Sequence, residues 1–387
     1  MKKILTLNNI SAQGLDRLPR NLYEVSSESS TPDAILLRSY KMHDMAIPAS
    51  LLAVGRAGAG VNNIPLDKMS EHGIAVFNAP GANANAVKEL VIAGMLLACR
   101  NLCQAWDYTQ NLQGSDGEIS KAVEAGKKKY VGFELPGRTL GVIGLGAIGV
   151  KVANAAKSLG MNVIGYDPGI SVKSAWNLSA DVEASSSVDD MMSKVDFVSL
   201  HVPLIPATRN LINAERLAKM KAGGVIMNFA RDGIVDDEAV LEALDEGLLH
   251  AYVTDFPSNL LKGRKGVISL PHLGASTLEA EQNCAVMVAD QVRDYLENGN
   301  VTNSVNFPEV HLSRATRFRL SVVNANMPDM VGQISHVLGE NGINIQHMVN
   351  ESRLDIAYTL MDTDRLVAAD VIERIAQIKG VLAVRAL

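Results

Sequence analysis

Short apolar runs alternate with longer amphipathic stretches through most of the chain. Over residues 1 to 93 the runs Lys3–Asn8, Ala34–Ser39, Leu51–Ala57 and Ile74–Phe77 read as strands. Ala84 to Leu102 carries one long helical period. A second series follows: Leu140–Ile143, Asn162–Tyr166, Phe197–Leu200, Val225–Asn228, Ala251–Thr254 and Val267–Ser269. Helical patterns such as Ala214–Lys221 and Asp237–Glu246 separate these runs, and Thr277–Asn298 is a long amphipathic helix. Strand–helix alternation of this kind predicts parallel sheets covered on both faces.

The pattern changes after a turn-rich stretch at 299–315. Arg317–Val323, Ile343–Asn350, Leu354–Met361 and Val381–Ala386 read as strands, Met330–Asn341 and Ala368–Lys379 as helices. The order βαββαβ is the ferredoxin-like arrangement. The predicted class is therefore α/β, with two doubly wound parallel-sheet domains (one flavodoxin-like, one Rossmann) and a small ferredoxin-like domain.

Candidate chemistry begins at Gly144-Leu145-Gly146-Ala147-Ile148-Gly149, a G-x-G-x-x-G turn between a strand and a helix. Such a turn lets a pyrophosphate approach the backbone at a helix N-terminus. Asp167 ends the next strand, about 20 residues on, where a carboxylate accepts from a ribose diol. That Asp disfavours a 2′-phosphate, so the expected cofactor is NAD rather than NADP.

Composition narrows the alternatives. The net charge of −6 gives no basic footprint for nucleic acid. Lys127–Lys129 read as a solvated cluster. Three cysteines without metal-ligand spacing suit reduced thiols, and no apolar run is long enough for a bilayer. A cytoplasmic protein with no metal, nucleic-acid or membrane partner is expected.

Two residues past strand ends suit redox chemistry. Arg231 offers a guanidinium to a substrate carboxylate, and His272 a group able to carry a proton near neutral pH. His201, in His-Val-Pro, reads as a wall of the cofactor pocket.

The segments GRAGAGVNNIPLDKMSEHGIAVFNAPGANANAVKE, GLGAIG, HVPLIPATRNLI, NFARDGIVDD and PHLGAST occur in the order found in the D-isomer-specific 2-hydroxyacid dehydrogenases, which the chain resembles over nearly its whole length. The resemblance implies a discontinuous substrate domain (1–93 and 276–308), an NAD domain (94–275) and a regulatory domain of the ACT type (316–387). It implies that Arg231 polarises the substrate and that His272 takes the hydroxyl proton. Gly58, Ala59, Gly60 and Asn78 would hold the substrate, with Arg38 and Arg56 on a phosphate. Gly144, Gly146, Ala147, Ile148, Gly149, Asp167, His201, Thr208, Ala230, Asp255 and Gly274 would contact NAD.

The reaction that the resemblance implies is NAD-dependent oxidation of D-3-phosphoglycerate to 3-phosphohydroxypyruvate, at the entry to serine synthesis, in a homodimer or homotetramer. Rival readings are a reductase of glyoxylate, hydroxypyruvate or 2-oxoglutarate, and an NAD(H)-sensing regulator without turnover. In the tail, Asn326 and Asn344 resemble residues that hold an amino acid such as L-serine, although Asp329 stands where Gly is usual.

One departure bears on mechanism. The family pairs its catalytic His with a Glu, and no carboxylate lies between Asp255 and His272, where Asn259 falls near the usual place. Without a partner for the imidazolium, oxidation is expected to survive better than reduction.

Overall fold

A computed structural model describes residues 1–387. The chain forms two compact units, Met1–Ala82 with Leu278–Leu387, and Asn83–Thr277.

The first unit opens on a parallel sheet of β1 (Lys2–Leu7), β2 (Tyr23–Ser26), β3 (Ala34–Leu37), β4 (Ala53–Arg56) and β5 (Ala75–Phe77), in the order β2-β1-β3-β4-β5. This is the flavodoxin-like order. Every residue of β3 is buried, which explains its uninterrupted apolar run Ala-Ile-Leu-Leu. Sequence pattern alone gave four strands here. The fifth, β2, reads Tyr-Glu-Val-Ser, and as an edge strand it lacks that run.

The second unit carries β6 (Thr139–Ile143), β7 (Asn162–Tyr166), β8 (Glu183–Ala184), β9 (Phe197–Leu200), β10 (Gly224–Asn228), β11 (Leu249–Thr254) and β12 (Val267–Ser269). Their order is β12-β11-β10-β9-β6-β7-β8, the Rossmann order extended by one strand. The expected six strands are all present; β12 is the strand beyond the Rossmann six, and the two-residue edge strand β8 is the one the apolar pattern did not mark.

The helix that begins at Ala84 ends at Cys99, beside Arg100 and Asn101 where its pattern runs out, and a further helix, Leu102–Gln110, follows Asn101, which adopts φ 50°. Asn tolerates this left-handed conformation better than most residues. The stretch after Gln113, polar and loosely patterned, contains a helix at Asp116–Gly126. Ser115 and Glu118 close its first turn as a capping box.

The tail forms β13 (Arg319–Ala325), β14 (Ile345–Arg353), β15 (Ile356–Thr363) and β16 (Val381–Ala386), antiparallel in the order β14-β15-β13-β16. With helices Met330–Glu340 and Ala369–Ala376 this is the expected ferredoxin-like arrangement. Those helices cover one face through Leu320, Val322, Ile334, Leu338 and Ile375. The other face joins the core of the N-terminal sheet, where Tyr358 and Leu360 meet Phe77, Tyr295 and Phe307. A sheet buried on both faces accounts for β15, in which all eight residues are buried.

At this junction the Arg319 and Asp362 side chains are fully sequestered, each with 0% exposure. Arg319 Nε donates to Asp362 Oδ1 at 2.6 Å and Nη2 to Oδ2 at 3.0 Å. Arg319 Nη1 also donates to the Asn298 carbonyl at the end of helix Leu278–Asn298, at 3.0 Å.

Candidate functional site

In the second unit the chemistry-bearing residues collect at the carboxyl ends of the parallel strands, where α/β sheets bind ligands. Gly144 follows β6, Asp167 β7, His201 β9, Ala230 and Arg231 β10, Asp255 β11 and His272 β12.

The glycine turn is shaped for close backbone approach. A Cβ on Gly149 would lie 1.9 Å from the Gly144 carbonyl oxygen, so helix Ala147–Ser158 can pack against the turn only with Gly there. A Cβ on Gly146 would meet nothing within 4 Å, which leaves the space before the helix N-terminus open. Asp167 Oδ2 accepts from the Leu145 N–H at 2.8 Å and Oδ1 from the Gly169 N–H at 2.9 Å, so its carboxylate is fixed beside the turn. An open backbone cradle with an anchored carboxylate at the next strand fits a dinucleotide with a free ribose diol. Gly149→Ala is expected to destabilise the protein by about 1–3 kcal/mol through overpacking and to weaken NADH binding, as read by melting and by NADH fluorescence titration.

His201 is held by Ser199, whose Oγ lies 2.8 Å from Nε2. The residue is partly exposed, yet its ring is packed among protein atoms, and burial pushes its pKa down to about 3. The ring is therefore neutral at physiological pH and suits a wall better than a proton carrier. The Thr208 hydroxyl is engaged within its own turn, accepting from the Ile205 N–H at 2.9 Å and donating to the Pro203 carbonyl at 2.6 Å. Asn228 ties the loop after β10: Nδ2 donates to the Arg231 carbonyl at 2.9 Å, and Oδ1 accepts from the Ala230 N–H at 3.2 Å. Exposed Arg231 donates through Nη1 to the Ala230 carbonyl at 2.6 Å.

His272 is exposed, with its ring edge-on to Phe256 at 5.1 Å between centroids. Asp255 immediately precedes Phe256 and is only 2% exposed, and its Oδ1 has no hydrogen-bond partner. Burial pushes this carboxyl above the usual carboxylate range, while the charges of His272 and Arg231 pull it back. A carboxyl that interacts electrostatically with both His272 and Arg231 thus stands inside the NAD unit, although none follows Asp255 in sequence before His272. Asn259 is exposed.

In the first unit, Arg38 follows β3 and Arg56 ends β4, on adjacent strands that pair Leu37 with Arg56. Arg56 Nε donates to the Arg38 carbonyl at 3.1 Å. Asn63, which sequence reasoning did not single out, donates to the same carbonyl at 3.2 Å and to the Tyr40 carbonyl at 2.8 Å. A Cβ on Gly58 would lie 1.9 Å from Arg56 Nη1, so the missing side chain is what lets the guanidinium lie across the loop. Asn78 Nδ2 donates to the Ala59 carbonyl at 2.6 Å, tying that loop to the end of β5, while Gly60 remains partly exposed.

Residues 92–274 match the NAD-binding domain of the D-isomer specific 2-hydroxyacid dehydrogenases. A D-3-phosphoglycerate dehydrogenase of Haemophilus influenzae is 34% identical over 350 residues, covering 87% of this chain and 81% of that protein. The chain belongs to the D-isomer-specific 2-hydroxyacid dehydrogenase family. The D-3-phosphoglycerate dehydrogenase of Methanocaldococcus jannaschii is 37% identical over 79% of this family member, which spans only 56% of that longer protein. Among solved structures, the NAD+-bound 3-phosphoglycerate dehydrogenase of Entamoeba histolytica aligns with a TM-score of 0.60 at 26% identity, covering 79% of this chain and 98% of that one. The cofactor of the family's matched domain is NAD, in accord with the fit of the turn at Gly144–Gly149. No helix is long and apolar enough to cross a membrane.

Proposed function

We propose that this dehydrogenase oxidises D-3-phosphoglycerate to 3-phosphohydroxypyruvate with NAD, at the entry to serine synthesis. The observation that carries the redox chemistry is the grouping of Arg231, His272 and buried Asp255 at neighbouring strand ends of an NAD-binding domain. Arg231 binds the substrate carboxylate in a two-pronged way and polarises the C2 oxygen. His272 takes the C2 hydroxyl proton as the carbonyl forms. Bound NAD supplies the acceptor for the hydride leaving C2. Asp255 provides the negative charge that favours the imidazolium, the part a Glu plays in the family. Arg38 and Arg56 take the phosphate, with Gly58 permitting the pose of Arg56.

The test is NADH absorbance across a substrate panel. D-3-phosphoglycerate is expected to give the highest kcat/KM among 2-hydroxy acids. Faster turnover of glyoxylate, hydroxypyruvate or 2-oxoglutarate would make the chain a reductase of those acids. No turnover of any of them, with NADH bound, would favour a sensor. A reducing, cytoplasmic setting suits the three free thiols, and symmetric self-association suits the family.

The tail extends this reading to regulation. Asn326 and Asn344 are exposed, as a ligand-holding pair requires. Asp329 adopts φ 67° at the cap of helix Met330–Glu340, and a Cβ on Gly332 would lie 2.3 Å from its Oδ1. A carboxylate over the first helical turn either holds the ammonium of an arriving amino acid or repels its carboxylate. Inhibition that saturates with L-serine is the outcome expected of a sensing tail. Unchanged kcat and KM would leave the tail a pairing module without a ligand.

A further inference from the structure

The β3–β4 arginines have a third charged companion. Helix Leu278–Asn298 begins beside them, and Glu281 lies in its first turn. Glu281 Oε1 stands 2.6 Å from Arg38 Nη1, with the two side chains 39% and 37% exposed. The buried Cys284 thiol, one helical turn on, senses the same group: burial pushes it up, Arg56 and Arg38 pull it down and Glu281 pushes it up. Two guanidiniums and one carboxylate therefore share one end of the sheet.

We propose that Glu281 is the resident counter-anion of the phosphate subsite, which the terminal phosphate of the substrate must displace from Arg38. The inference rests on the reading of Arg38 and Arg56 as that subsite. An ion pair this exposed is weak and exchangeable. A phosphate dianion offers more charge than a carboxylate and can accept two parallel bonds from one guanidinium, so it wins the exchange. Glu281 limits affinity for ligands with a second anionic group and restores charge balance when the product leaves. A ligand lacking that group has no exchange to make.

The test compares D-3-phosphoglycerate with D-glycerate, which has the same carbons and no phosphate, as substrate or as competitive inhibitor. Glu281→Gln is expected to lower the KM for D-3-phosphoglycerate relative to the constant for D-glycerate by about two- to fivefold. The gain should shrink as ionic strength rises. An unchanged or increased ratio overturns the proposal, as does an equal shift for both ligands. Arg38→Met, measured beside it, separates the two levels of inference. If it weakens only the phosphorylated ligand, the subsite stands and any failure belongs to Glu281 alone. If it leaves the ratio untouched, the subsite reading itself falls.

Discussion

His272→Ala is expected to lower kcat for D-3-phosphoglycerate oxidation by about 10²–10⁴-fold while NADH still binds with near-wild-type affinity. The reason lies in the placement of the ring, exposed beyond the end of β12, with an edge contact to Phe256 and the charge of Asp255 nearby. Asp255→Asn tests the charge partner. It is expected to impair reduction of 3-phosphohydroxypyruvate more than oxidation, because reduction needs the imidazolium that the carboxylate favours. Equal losses in both directions would assign Asp255 to a structural role.

The pH profile needs a control. Asp237, at the start of helix Asp237–Asp245, has its pKa pushed up to about 6, chiefly by burial and then by the charge of Asp232, beside Arg231. A raised carboxylate disfavours the folded state as pH rises from the ordinary value towards 6 and beyond. An inflection near pH 6 is therefore expected to disappear in Asp237→Asn.

Asp362→Ala is expected to destabilise the first unit by about 3–5 kcal/mol, a melting shift of roughly 6–20 °C. The loss follows from stranding Arg319 with 0% exposure and no counter-charge. The double replacement Arg319→Met with Asp362→Leu should recover most of it, because an apolar pair has no charge to desolvate. Burial works against the Asp362 carboxylate, yet the hydrogen bonds from Arg319 and the Ala315 N–H hold it below its ordinary range. A depressed carboxylate contributes its stability above the unfolded value and loses it as pH falls through the folded one. This junction should therefore resist mild acid and fail only in strong acid.

The central strands and the glycine turn were legible because burial on both faces leaves long apolar runs, and because a dinucleotide turn has fixed glycine spacing. Edge strands β2 and β8 were not, since neither carries such a run. The helix at Asp116–Gly126 did leave a signal in Ser115 and Glu118, the spacing of a capping box, although its apolar period is faint. The docking of the tail was not legible: residues 316–387 read as a separate small domain, and the burial of both faces of β15 appears only once Tyr358 and Leu360 meet the core of the N-terminal sheet. At the site, single-residue reading found the strand-end residues one by one. Asp255 was read as a cofactor contact, because its nearness to His272 arises only when β11 and β12 pair. Glu281 was passed over because its partner lies 243 positions away (281 − 38).

Helix Leu278–Asn298 is 21 residues long, about 31 Å at 1.5 Å per residue. Its first turn carries the carboxylate against Arg38. At its far end the Asn298 carbonyl accepts from Arg319, and the Arg385 guanidinium lies 4.2 Å from the centre of the Tyr295 ring. Between its ends the rod is held along its length, with Cys284, Val288, Val292 and Tyr295 buried in the core of the N-terminal sheet. The charge pairing beside Arg38 and the anchorage of the tail sheet thus share one rigid element.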